Sequence, residues 1–152
     1  MMTDAAVVHS MIVQLAESTP AAIELCSTAT DFATALSGDN PAIHALIAEH
    51  DNVSLGVVIF YLTYSTWYGA PGVYVQDIFV AEESRGAGVG RKLLAGAVKW
   101  AAARGATHMK LSVDRDNTTA QSFYERCGMF HRDDEMMYMI AGEAFSNLVA
   151  DV

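Results

Sequence analysis

Val73-Tyr-Val-Gln-Asp-Ile-Phe-Val-Ala-Glu-Glu-Ser-Arg-Gly-Ala-Gly-Val-Gly-Arg-Lys-Leu-Leu94 is the stretch whose reading decides the fold. It opens as a strand: Val73, Val75, Ile78, Phe79 and Val80 are β-formers that follow a turn signal at Gly69-Ala-Pro-Gly72. Glu82, Glu83 and Ser84 then lead into Arg85-Gly-Ala-Gly-Val-Gly90 and a helix-forming run that begins with Arg91 and Lys92. Strand, glycine loop and helix N-terminus together make an anion site. The first N–H groups of a helix have no intrahelical partner, and the macrodipole adds partial positive charge there. Glycines let the backbone approach a phosphate closely, and Arg85, Arg91 and Lys92 flank the loop.

Two familiar phosphate patterns fail. A P-loop needs Gly-Lys-Ser/Thr, but Gly90 is followed by Arg-Lys-Leu. The dinucleotide fingerprint G-x-G-x-x-G/A ends on Arg91 when started at Gly86, and on Leu93 when started at Gly88. Arg-x-x-Gly-x-Gly does fit, filled by Arg85, Gly88 and Gly90. It resembles the coenzyme A pyrophosphate motif of the GCN5-related N-acetyltransferases (GNAT). The alternative is a glycine loop that only starts a helix.

At 152 residues, 52% hydrophobic and 18% charged, the chain is expected to form one domain over residues 1–152 with a proper core. The longest apolar run, around 53–64, is broken by Ser54, Gly56 and Thr63, so no membrane span is expected. Without a basic leader, and with only Cys26 and Cys127, the expectation is a cytoplasmic protein with reduced thiols. His9, His44, His50, His108 and His131 are scattered without ligand spacing, which argues against a metal site. The net charge is −9. All nine Lys and Arg lie between Arg85 and Arg132, whereas residues 1–84 hold ten Asp and Glu. The basic stretch suits an anionic cofactor, and the acidic part either attracts a cationic substrate or simply keeps the chain soluble. Nucleic acid is disfavoured, because it demands a basic face.

Periodicity supplies the remaining elements. Val7, Val8, Met11, Ile12 and Leu15 predict a helix over Asp4 to Glu17, capped by Thr3 or Asp4. A second helix is predicted over Asp31 to Leu36, capped by Thr30. Strands at 42–49 and 54–66 flank the turn Asp51-Asn52 as a hairpin. The helix after the glycine loop should run to about Ala103, with Val89, Leu93, Ala97 and Trp100 on one face, and a strand at 108–113 should lie parallel to the central one. Thr118 with Gln121 reads as a capping box opening a helix that Gly128 ends. A last strand is predicted at 136–140, with a short helix in 142–152.

Asn117 followed by Phe123-Tyr124-Glu-Arg-Cys-Gly128 resembles a second signature of the same family. Within it, the run from Phe60 to Val80 is most like the diamine (spermidine/spermine) acetyltransferase branch. The resemblance implies an α/β fold with a mixed, mostly antiparallel sheet flanked by helices. It also implies an enzyme that moves acetyl from acetyl-CoA to a primary amine, with a small cationic molecule as the expected acceptor. Family members usually open with a short strand, but only three residues precede Asp4 here, so that strand is expected to be missing or built from very little chain. Members often form homodimers. By the same resemblance, Ile78, Phe79 and Val80 meet the pantetheine arm. Arg85, Gly86, Ala87, Gly88, Val89, Gly90 and Arg91 hold the pyrophosphate, with Asn117, Thr119 and Ala120 on the other side. Tyr124 protonates the departing thiolate, unless it is an ordinary core tyrosine.

The base is the departure from the pattern. The polyamine branch has a glutamate where this chain has Gln76, and an amide accepts no proton at neutral pH. Asp77 should face away from Gln76 unless a bulge intervenes. Proton removal through water towards Glu82, Asp114 or another acid is therefore expected, with Gln76 and Asp77 contacting the acceptor. Trp67 and Tyr68 either line the acceptor pocket or cap a hairpin. A protein or peptide amine acceptor, and a non-catalytic acyl-CoA-binding module, are the competing readings. Gln76 favours the module and Tyr124 favours catalysis.

Overall fold

The computed structural model describes residues 4–19 and 24–150. The chain falls into two compact units, residues 1–114 and 115–152.

The first unit is a four-stranded sheet with helices on both faces. Its elements are α1 (Asp4–Ser18), α2 (Ala29–Ala35), β1 (His44–His50), β2 (Val53–Ser65), β3 (Ala70–Val80), a 3₁₀ turn (Glu82–Ser84), α3 (Val89–Ala102) and β4 (Met109–Leu111). The strands lie in the order β1-β2-β3-β4, antiparallel up to β3, with β4 parallel to β3. Asp51 and Asn52, both at positive φ, make the tight β1–β2 turn. On one face Val8, Met11 and Ile12 of α1 close a core with Val57, Ile59 and Phe79. On the other, α3 packs Leu93, Leu94 and Ala97 inward. Trp100 sets its ring edge-on to Phe60 at 5.2 Å and 4.1 Å from the ring of His44. Burial there, together with Arg104, holds the His44 imidazole below the usual histidine range. Under α3, at Gly56, only glycine fits: a Cβ there would stand 2.6 Å from the Phe79 carbonyl oxygen and 3.2 Å from Leu93 Cδ1.

The second unit holds α4 (Thr118–Arg126) and α5 (Gly142–Ala150). Gly128, at φ 92, follows the end of α4.

Several expectations change. The cap of α2 is Thr28, not Thr30, because Asp31 reaches back to the Thr28 N–H (2.7 Å) while its own N–H donates to the Thr28 hydroxyl. That pairing also lowers the Asp31 carboxyl from its ordinary value. Asn117 caps α4 in place of Thr118, its Oδ1 accepting from the Ala120 N–H at 3.0 Å. Gln121 donates instead to the Arg115 carbonyl. Strand β4 is three residues long rather than six. Residues 136–140 form no strand: the run is apolar at every position, so it has no period-two face, and no neighbouring strand pairs with it. Thr3, the other expected cap of α1, and the position before Asp4 where the missing or minimal opening strand was expected lie outside the described residues.

Candidate active site

The glycine loop is built by backbone conformation. Gly86 and Gly88 stand at φ 80 and 79, and a Cβ on either would meet nothing within 4 Å. Here glycine answers a left-handed backbone, not a lack of space. Gly88 is the N-cap of α3, and no side chain caps the helix. Its first N–H groups are therefore left for a ligand, with Val89 buried beneath them and Arg91 and Lys92 exposed. Arg85 turns back: its Nε donates to the Val80 carbonyl at 3.1 Å, which ties the loop to the end of β3. Ser84 is buried in the turn between them.

Strand β3 leaves the sheet on one side. It pairs with β4 only at Val73, Tyr74 and Val75, and continues beside β2 to Val80. From Gln76 onwards its β4 side has no strand beside it among the described residues. Ile78, Phe79 and Val80 lie in that free stretch.

A bulge begins the stretch. Ile59 pairs with Asp77 and Phe60 with Val75, so Gln76 has no partner of its own and is exposed. The extra residue resets the alternation. With unbroken pairing Asp77 would share the face of Val73 and Val75. Instead it lies opposite Ile59, on the face that α1 covers. Burial raises the Asp77 carboxyl above its ordinary value, and no neighbouring charge opposes the shift. Two rungs of this face were missed in the sequence: Ile59–Asp77 and the next, Tyr61–Tyr74, whose rings stack at 5.3 Å. Only the bulge puts them together, and no local residue pattern announces it.

Trp67 and Tyr68 occupy the β2–β3 turn. The Tyr68 N–H donates to the Ser65 hydroxyl and its ring stands edge-on to His108, while Trp67 is 96% exposed. Ala70, where β3 begins, is six residues from Gln76, about 20 Å of strand. The structure thus keeps the turn aromatics apart from the bulge, whereas Gln76, Asp77 and Ile78 to Val80 are contiguous. Glu82 is exposed on the turn after β3, and Asp114 is exposed after β4.

In the second unit, Asn117, Thr119 and Ala120 form the first turn of α4, with the Asn117 oxygen engaged in the cap. Tyr124 lies two turns on, partly buried, its ring 5.3 Å from Phe123. The Cys127 and Met129 N–H groups both donate to its carbonyl. Cys127 is a free thiol at the end of α4. No group of metal-binding side chains occurs among the described residues, and no helix among them is long and apolar enough to cross a membrane.

A free strand edge running into an uncapped, glycine-led helix start suits an acyl donor with a pantetheine arm and a pyrophosphate. Residues 10–129 match the model of the acetyltransferase (GNAT) family, and the chain belongs to that family. It is an acetyl-CoA-dependent N-acetyltransferase. Among its relatives is the thialysine N-epsilon-acetyltransferase of Mus musculus, 30% identical over 122 residues, 73% of this chain and 71% of that protein. The spermidine/spermine N(1)-acetyltransferase-like protein 1 of Homo sapiens is 32% identical over 74 residues, 44% of this chain and 10% of that protein. The fold is shared with an aminoglycoside N-acetyltransferase, AAC(6')-Iy, solved in complex with CoA. That match has a TM-score of 0.69 and 22% identity, and covers 93% of this chain and 97% of that one.

Proposed function

We propose that this enzyme acetylates a primary amine of a small cationic molecule, polyamine- or diamine-like, as a cytoplasmic protein with one catalytic domain over residues 1–152. The observation that carries the reading is the bulge at Gln76, which sets a partly buried carboxylate beside the free edge of β3. The relatives named for thialysine and spermidine/spermine support the same acceptor class.

Residues Arg85 to Arg91 bind the pyrophosphate, and the backbone of Ile78 to Val80 pairs with the pantetheine arm. Asn117, Thr119 and Ala120 also bind the coenzyme. An alkylammonium ionises near pH ~10.4, so a proton must leave before attack. Asp77 takes that proton, directly or through water, since its raised pKa favours holding it. Gln76 orients the amine, whereas Trp67 and Tyr68, about 20 Å of strand away, cap the hairpin. The nitrogen attacks the thioester carbonyl, and N–H groups of β3 stabilise the oxyanion. The C–S bond then breaks, and Tyr124 gives its phenolic proton to the departing thiolate. The apolar surface of residues 130–149 supports a homodimer.

The test is release of free CoA thiol from acetyl-CoA with polyamines, diamines, lysine analogues, aminoglycosides and peptides, for wild type and Tyr124→Phe. Turnover should favour small polycations, and the variant should lose about 100-fold in kcat. Preference for a peptide amine would overturn the acceptor class, and an undiminished variant would overturn the role of Tyr124. Acetyl-CoA binding without turnover on any amine would leave a non-catalytic module.

A further inference from the structure

We infer that Asp77 and the stacked Tyr61–Tyr74 pair form a two-point cation site that reads a second positive charge on the acceptor. The inference rests on the amine acetylation proposed above. The register places the three residues together: Asp77 stands opposite Ile59, and Tyr74 opposite Tyr61. Ile59 and Tyr61 are two apart on an unbroken strand, so both pairs lie on one face. It is the face of α1, because Ile59 sits in the core closed by Val8, Met11 and Ile12. That core stops short of both tyrosines, which are only partly buried. Their rings stack with centroids 5.3 Å apart and planes 30° from parallel, and the Tyr74 hydroxyl is bound to Ser112 Oγ at 2.8 Å. The shelf is thus held in place with its π surface partly open.

Each point lacks something a cation supplies. No hydrogen bond or ion pair engages the Asp77 side chain among the described residues. A carboxylate held largely out of water is costly unless an opposite charge meets it, and an ammonium does so. Aromatic faces attract a second ammonium within about 6 Å of the ring centroid. Residues 1–84 contain no Lys or Arg to fill either place. Lys110, the register partner of Tyr74 on β4, puts a like charge at that end of the rung, so the second charge settles over Tyr61. Diagonal neighbours across an antiparallel pair lie roughly 7–8 Å apart. At about 1.2 Å of extended chain per bond, two charges so placed are joined by roughly five or six bonds. The acceptor this describes is a linear dication with four or five carbons between its nitrogens.

The experiment compares 1-aminobutane with α,ω-diamines of increasing length for wild type, Tyr61→Leu and Tyr61→Phe, alongside calorimetric binding of 1,5-diaminopentane to the CoA-saturated protein. Wild type should prefer diamines with four or five carbons. Tyr61→Leu should cut the diamine-over-monoamine ratio of kcat/KM about 5- to 30-fold, mostly through KM, and weaken diamine binding to match. Tyr61→Phe, which keeps the ring, should restore both. Equal effects of Tyr61→Leu on monoamine and diamine, or no effect, would overturn the two-point site while leaving acetylation standing. Diamine binding that Tyr61→Leu weakens, in a protein that acetylates no amine, would keep the site and overturn the reaction. An absence of diamine binding would overturn the site.

Discussion

A carboxyl group that burial pushes upward stores a cost that pH can reveal. Asp77 is such a group, and desolvation is the cause of its shift. Its folded pKa exceeds its unfolded value, so between the two the native state holds the proton more tightly. Stability is therefore highest below the unfolded pKa, near 3.8, and declines as pH rises through the folded one. Above the folded pKa the native state must hold an ionised carboxylate that burial has deprived of water. Asp77→Asn should accordingly raise Tm at pH 7, with the gap closing as pH falls below about 4. The same variant should lose activity on amines, a trade of function for stability. Thermal unfolding of both proteins across pH checks this, and an Asn variant less stable at pH 7 would refute it. The residue itself was legible in the sequence as a candidate acceptor contact. Its face was not, because alternation alone puts it with Val73 and Val75, and the hydrogen-bond register that overrides alternation leaves no mark in residue types.

Among elements, two glycines separate conformation from packing. Gly88 begins α3 at φ 79 with open space around its missing Cβ. Gly56 lies in β2, where a Cβ would meet the Phe79 carbonyl oxygen at 2.6 Å and Leu93 Cδ1 at 3.2 Å. Gly88→Ala should cost about 1–2 kcal/mol, the penalty of a left-handed residue with a Cβ, and should raise KM for acetyl-CoA. Gly56→Ala should cost roughly 1–3 kcal/mol through overpacking and leave KM for acetyl-CoA near wild type in the folded fraction. Denaturant unfolding with acetyl-CoA kinetics checks the pair, and the expectation fails if Gly56→Ala is the variant that loses the coenzyme. The glycine loop could be read from sequence because its demand is local: Gly86 and Gly88 each stand at a left-handed φ that glycine adopts freely. Helix caps were less legible. Thr28 and Asn117 each cap a helix that has another threonine within two residues, Thr30 and Thr118, and only the turn geometry chooses between them.

For the whole molecule, connectivity followed from the sequence because each antiparallel strand of the first unit is long, strongly patterned and joined by a short turn. The second unit was less legible, since residues 136–140 are apolar throughout and give no face to assign. They remain exposed, with Met136, Met137 and Met139 at 77%, 74% and 77%. Phe130, Tyr138 and Phe145 are 79%, 86% and 55% exposed. At roughly 150–250 Å² per aromatic side chain, those three alone leave on the order of 400 Å² of mostly apolar surface open. The methionines, Leu148 and Val149 carry the total towards the ~800 Å² that each partner contributes to a stable interface. Monomers rarely expose contiguous apolar patches much beyond a few hundred Å². In the proposed homodimer a second copy of the chain would cover these side chains with its own, across a two-fold axis. Sedimentation equilibrium should therefore show a dimer in the micromolar range, and Met137→Glu combined with Tyr138→Glu should weaken it at least about tenfold, the like charges facing each other across the axis. A wild-type chain that stays monomeric throughout that range would overturn the dimer. A dimer that the double variant leaves intact would place its interface elsewhere.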